Sequence, residues 1–219
     1  MRSAQLLGGA LAGPLFVTAF TAIGASRRGY DWRRQPVSSL AIGRQGWHQR
    51  INFILAGVLY SCAAAGLGRS DRRRIGPRAV PALIAGVGIG LIGSGLFVTD
   101  YGGDLPSGGP DEKNRGPADA APTRPTRGGQ LHNLCGIPVF AGIPIAGLAS
   151  AATAVRSRDF WWACYSAGSS TVMVGSFLLV GAAIRGRSRL RGKSGIFQRI
   201  SIATGFGWLS SLSLRVLSR

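Results

Sequence analysis

Gly86-Val87-Gly88-Ile89-Gly90-Leu91-Ile92-Gly93-Ser94-Gly95-Leu96-Phe97-Val98-Thr99-Asp100 is the stretch whose reading decides the fold. It is the end of an apolar run from about residue 79 to 99 that meets its first charge at Asp100. That length is close to the ~20 residues a helix needs to cross a ~30 Å hydrocarbon core. Gly86 and Gly90 form a G-x-x-x-G pair, and Ser94 extends the stripe of small residues. Glycines at this spacing let a membrane helix approach its neighbours backbone to backbone, so this helix is expected to be central and tightly packed. No strand precedes the glycines, so they do not read as a nucleotide-binding loop.

Outward from this run, five more segments are nearly free of charge, at about 4–25, 51–68, 133–155, 160–184 and 196–214. Only 16% of the 219 residues are charged and 46% are hydrophobic, against about 25% charged in soluble domains. The expected fold is all-α: one six-transmembrane-helix bundle spanning residues 1–219, a multi-pass protein of the cell membrane. The first run resembles a secretory signal, but it is long for one and five spans follow it. Pro14 is expected to kink this first helix. The three cysteines, Cys62, Cys135 and Cys164, form no C-x-x-C pair and read as small buried hydrophobes.

The net charge of +18 would suggest nucleic acid in a soluble protein. Here the arginines lie between apolar spans, where they anchor to lipid headgroups and set topology, so membrane lipids and not nucleic acid are the expected partners. Loops one, three and five carry 16 of the 26 Lys and Arg residues. The positive-inside rule therefore favours those loops in the cytoplasm, with both termini on the opposite side.

Polar residues gather on the side of those three loops. Five of the eight acidic residues, Asp100, Asp104, Asp111, Glu112 and Asp119, lie between the third and fourth spans, and Leu131-His132-Asn133 closes that loop. Loop one brings Ser38, Ser39 and His48, the head of the second span brings Gln49 and Asn52, and the head of the sixth brings Gln198. Asp100 and His132 are the candidate catalytic pair, because a carboxylate and an imidazole together serve as general acid and base. Asp100 ends a helix at the bilayer edge, where the helix dipole and burial both favour the protonated acid. Ser38, Ser39, His48, Gln49, Asn52, Asp104 and Gln198 are the candidate substrate-binding set. The alternative for Asp100 is a helix-end cap, and for His132 an ordinary interfacial residue. No H-x-x-x-H or H-E-x-x-H spacing supports a metal at His48, His132, Asp100 and Asp104, and no cofactor fingerprint is present.

Val37–Ile42 is apolar enough to lie in the membrane plane as a short amphipathic turn. Gly46-Trp47-His48-Gln49-Arg50-Ile51 and Gly195-Ile196-Phe197-Gln198-Arg199-Ile200 share a G-x-x-Q-R-I pattern. Either they are a remnant internal repeat, or Gln-Arg is simply a good interfacial helix start.

Pro36-Val37-Ser38-Ser39-Leu40, Gly43, Gly46-Trp47, Gln49, Asn52-Phe53 and Gly57 come first in the chain. Gly93–Phe97 with Thr99-Asp100, then Leu131-His132, then Gly195 with Phe197-Gln198-Arg199, follow in order. This series resembles an uncharacterised bacterial membrane family, domain of unknown function 998, over nearly the whole chain. The resemblance implies six transmembrane helices with polar motifs at one mouth, and no activity. The stretch between Asp100 and His132 is longer and more charged here than the family usually shows.

Two functions fit these residues. One is an enzyme acting on a lipid-like or prenyl molecule by acid–base chemistry at the mouth, a membrane-embedded terpene cyclase being one version. The other is a non-enzymatic membrane protein: a transporter component, sensor or assembly factor.

Overall fold

The computed structural model describes residues 1–100, 124–185 and 189–218. Its helices are α1 (Arg2–Ser26), α2 (Trp47–Gly68), the single-turn α3 (Arg72–Ile75), α4 (Ala79–Leu96), α5 (Arg127–Ile137), α6 (Ile143–Arg156), α7 (Phe160–Ile184) and α8 (Ser194–Leu217). A π-helical turn, Pro138–Gly142, joins α5 to α6, so Arg127–Arg156 forms one span. Among the described residues, six helices are long and apolar enough to cross a membrane, and no strand occurs. In hydrocarbon the backbone must satisfy its own hydrogen bonds, and an apolar run with few charges has no other stable choice than helix. Large apolar side chains such as Ile89 (69% exposed) and Leu178 (65%) face outward, as a lipid-facing surface requires.

Each span packs on its neighbours in sequence and α8 returns onto α1, closing a ring. Phe16 of α1 meets Phe53 of α2 at 5.4 Å and Phe206 of α8 at 5.0 Å between ring centroids, and Tyr60 meets Phe206 at 5.3 Å. On the far side the buried indoles of Trp162 and Trp208 donate to Ser150 Oγ and Ser166 Oγ, each at 3.0 Å, which removes the cost of burying their N–H groups.

With α8, α4 is the most buried span. Of the pair that G-x-x-x-G spacing picks out, only Gly90 brings it close to a neighbour. A Cβ on Gly88 would lie 2.7 Å from the Gly57 carbonyl oxygen of α2, and one on Gly95 would lie 2.6 Å from the Arg50 carbonyl oxygen. On the opposite side, Gly90 and Gly93 press against the Cys135 backbone and Sγ of α5. Gly86 has room: the nearest atom to its Cβ position is Pro138 Cβ at 3.9 Å. Cysteine burial also differs from expectation. Cys62 and Cys164 are exposed and Cys135 is half-buried, all three free, because the outside of this bundle is itself an apolar environment.

The helix ends that carry loops one, three and five share one end of the ring, as six consecutive crossings require. There the Ile196 N–H donates to the Arg33 carbonyl at 3.2 Å, and Arg50 Nε donates to the Gly95 carbonyl at 2.9 Å. The termini and loops two and four share the other end. Arg69 donates to Gln5 Oε1 at 3.2 Å, and Arg215 pairs with Asp159 at 2.7 Å.

Candidate functional site

The end formed by loop one (27–46) is built on a 3-10 turn, Val37–Ala41. Val37, Leu40 and Ala41 are buried. The turn is therefore a plug in the mouth of the bundle and not an amphipathic turn on the membrane plane, because the apolar side chains find better cover under α1, α2 and α8 than at the interface. Ordering a 20-residue connection costs conformational entropy, and polar side chains offset it by binding the loop's backbone carbonyls. Arg27 donates to Leu40 O at 2.9 Å and Ile42 O at 2.6 Å. Arg199 of α8 donates to Trp32 O (2.7 Å), Gln35 O (3.1 Å), Gly195 O (3.0 Å) and the Tyr30 hydroxyl (2.5 Å). The Tyr30 hydroxyl donates in turn to Gln35 O or Pro36 O, at 3.2 and 3.1 Å. Burial pushes the Tyr30 phenol above its ordinary range, with the Arg199 charge opposing the shift.

The candidate residues of loop one and α8 take part in this latch. Gln198 Oε1 accepts from the Val37 N–H at 2.6 Å. Ser39 Oγ donates to Pro36 O at 2.7 Å. Ser38 is half-buried beside it. His48 stands apart: it is exposed, stacked on Trp47 at 3.8 Å, and its Nδ1 bonds Gln45 O at 3.0 Å.

Below the plug, α2 begins at Trp47 rather than at 51, so Gln49 and Asn52 are helical residues turned into the bundle. Asn52 Nδ2 donates to Phe16 O (3.1 Å) and Gln49 Oε1 (3.3 Å). Gln49 is fully buried (0% exposed), and among the described residues its Nε2 has no hydrogen-bond partner.

Asp100 and His132 are brought to the same corner but held differently from expectation. α4 ends at Leu96 rather than at 99 and α5 begins at Arg127, which places Asp100 in an extended segment and His132 in the second turn of α5. Asp100 does not terminate α4. Its carboxylate caps the start of α5, accepting from Thr126 N at 2.9 Å and Thr126 Oγ1 at 2.6 Å. Thr126 itself accepts from Gly129 N at 3.0 Å. The carboxylate lies so close to Gly129 that no side chain would fit there. Four N–H groups at a helix start have no intrahelical partner and attract negative charge, so this is a favourable seat for a carboxylate.

His132 is buried, edge-on to Phe53 at 6.1 Å. Its Nδ1 lies 2.9 Å from Phe97 O. A carbonyl only accepts, so Nδ1 carries the proton, and in the neutral imidazole Nε2 is the basic nitrogen. Asp100 is near enough to act on the ring electrostatically. Asp104 lies outside the described residues. Arg50 and Arg199, at the same end of the bundle, are directed to carbonyls of α4 and loop one.

The sequence reading missed Thr126, Tyr30 and Arg27. Only Thr126 had a local signal, a hydroxyl residue just before a helix start. The matched Gln-Arg preambles of α2 and α8 do parallel work, since each arginine donates to the carbonyls of an adjoining element.

The family model described as protein of unknown function (DUF998) matches residues 10–215. The chain belongs to that family. No curated protein and no solved structure matches it. The DUF998 match takes in every candidate residue, from Ser38 to Gln198.

Proposed function

We propose that this DUF998 protein is a non-enzymatic, multi-pass protein of a bacterial cell membrane that holds a lipid-like molecule, prenyl chains included, at the loop-one mouth. The observation that carries this reading is the Gln49 amide: a fully buried donor with no partner among the described residues, beside Asn52, which bonds both Gln49 Oε1 and the Phe16 carbonyl of the aromatic cluster. An unpaired buried amide costs about 1–3 kcal/mol, and an acceptor oxygen of a ligand removes that cost. The surrounding polar groups are already committed to holding backbone, which fits a binding mouth with a latched cover, as in a sensor or transporter component.

Acid–base chemistry is the second reading, supported by one feature. His132 is held with Nδ1 protonated and Nε2 basic, and the Asp100 carboxylate stands nearby.

Mass spectrometry of small molecules retained by the purified protein tests both. Gln49→Leu is expected to lose the retained lipid-like species while the protein stays folded; retention at the wild-type level would end the binding reading. Asp100→Asn is expected to retain the same mass as wild type, with about 1 kcal/mol of stability lost because one cap bond remains. A different, unconverted mass in Asp100→Asn or His132→Gln would establish the enzyme instead.

A further inference from the structure

The end of the bundle away from loop one carries an open groove of about 390 Å³ between loop two and α6, lined by Arg72, Arg73 and Arg156. Ala149, Ala152, Thr153 and Arg156 follow one another at i, i+3, i+4 and i+7, so they form one face of α6. Three of the four are small, and this leaves the groove open along the helix. Its rim is set by a close approach: Gly76 has φ +119, and a Cβ there would lie 3.3 Å from Ser150 Cα. The groove sits where α2 and α6 end, at Gly68 and Arg156.

The three guanidinium groups make no ion pair among the described residues. Arg72 Nη2 donates to Gly68 O at 2.9 Å, which fixes that side chain, while its buried Nη1 has no hydrogen-bond partner among the described residues. Among the described residues Arg73 is engaged through its backbone N–H, which donates to Asp71 Oδ1 at 2.9 Å. Arg156 lies in the last turn of α6, where its charge suits the negative end of the helix. One ordered and two free arginines above an apolar floor, level with the helix ends, match a phosphate on top of an acyl chain. Guanidinium groups bind phosphate through their planar fork of donors, and basic pockets between membrane helices recognise anionic headgroups.

We infer that this groove binds one acidic phospholipid, its phosphate on Arg72, Arg73 and Arg156 and its first acyl carbons on Ala149 and Ala152. The test is native mass spectrometry of the full chain in detergent, titrated with phosphatidylglycerol or phosphatidylcholine. Wild type is expected to retain phosphatidylglycerol in preference. R73Q/R156Q, which leaves Arg72 on its Gly68 carbonyl, is expected to weaken that retention on the order of tenfold. R28Q/R44Q, exposed arginines at the loop-one end, is expected to leave it unchanged. Ala152→Phe, which fills the groove and keeps every charge, is expected to lose it as well. Melting temperature in detergent identifies any variant that fails to fold, and the filled groove then decides. Equal retention of phosphatidylcholine, an equal loss in R28Q/R44Q, or full retention in Ala152→Phe would overturn the site. Release of the lipid by millimolar inorganic phosphate would show that the groove takes the free anion instead.

Discussion

Where α2 meets α4 the contact is backbone on backbone: Gly57 and Gly88 each stand where a Cβ would run into the other's carbonyl oxygen, at 2.6 and 2.7 Å. Where loop one meets α8 the contact is side chain on backbone: Arg199, Gln198 and Tyr30 reach across to a chain that has no helix of its own to satisfy it. The seam is closed by glycine backbone; the mouth is closed by polar side chains over an apolar plug. Two regular helices can close on each other through absent side chains, whereas an irregular cover must be bonded in place group by group. A ligand site that opens is therefore expected at the mouth, and the permanent structure at the seam.

The largest effect is expected at the seam. Gly88→Val puts a branched side chain against the Gly57 carbonyl and the Ser61 backbone nitrogen, 2.9 Å from the Cβ position. Neither can move without bending α2. A loss of about 3 kcal/mol or more is expected, as thermal unfolding in detergent would measure. A variant that melts like wild type would mean that the seam is not closed as described.

At the mouth, Arg199→Gln removes the cation that holds three carbonyls and one hydroxyl. About 2 kcal/mol is expected to be lost, with trypsin cutting faster at Arg33 and Arg34 as loop one is released. Arg215→Gln at the opposite end breaks the pair with Asp159, the bond to the Arg74 carbonyl and the contact over the Trp162 ring, and is expected to cost about 1 kcal/mol, with no change in cleavage of loop one. Equal cleavage in the two variants would mean that Arg199 does not hold loop one in place.

These two regions also differ in how far they could be read from the sequence. The six spans were legible because charge is excluded from them, and the sharing of one end by three loops follows from counting crossings. The start of α5 was not legible, since Gln130 and His132 read as loop until their partners are known, whereas Gln49 and Asn52 were readable as the head of α2. Glycine spacing showed that α4 packs closely but not on which face; that depends on Gly57 and Cys135, far away in sequence. The polar motifs were legible as a cluster, and their bonds were not, because most of the acceptors are backbone carbonyls. Every residue has a carbonyl, so no residue type signals one. Asp100 illustrates this: its position near His132 was readable, while its use as a cap depends on Thr126 across a 25-residue gap.

Alkaline pH separates the regions a third way. Tyr30 donates its proton to loop-one carbonyls, and burial raises its folded-state pKa above the ordinary value of about 10. A raised folded pKa means that the latch is fully present below about pH 10 and weakens as pH climbs through the folded value. Cleavage of loop one by a protease active at high pH is expected to rise there. Tyr30→Phe, costing roughly 0.5–1 kcal/mol at neutral pH, is expected to lose the dependence. Gly57 and Gly88 carry no titrating group, so the seam is expected to hold through the same range.

The smallest effect is expected at Gly86, and it sharpens the seam most. Gly86 and Gly88 are two residues apart on one helix and both look like packing glycines in the sequence. The added methyl of Gly86→Ala meets only Pro138 Cβ at an ordinary 3.9 Å. Alanine also loses less backbone entropy than glycine in a helix, by about 1 kcal/mol in water. Unchanged or slightly higher thermal stability is therefore expected for Gly86→Ala, against a clear loss for Gly88→Ala, whose methyl would stand 2.7 Å from a carbonyl oxygen. If the two alanine variants were equally destabilised, α4 would be packing through the whole small-residue stripe, and the face toward α2 would have no special standing. If only Gly88 suffers, closure depends on one face of the helix, and the glycine partner at Gly57 is what selects that face.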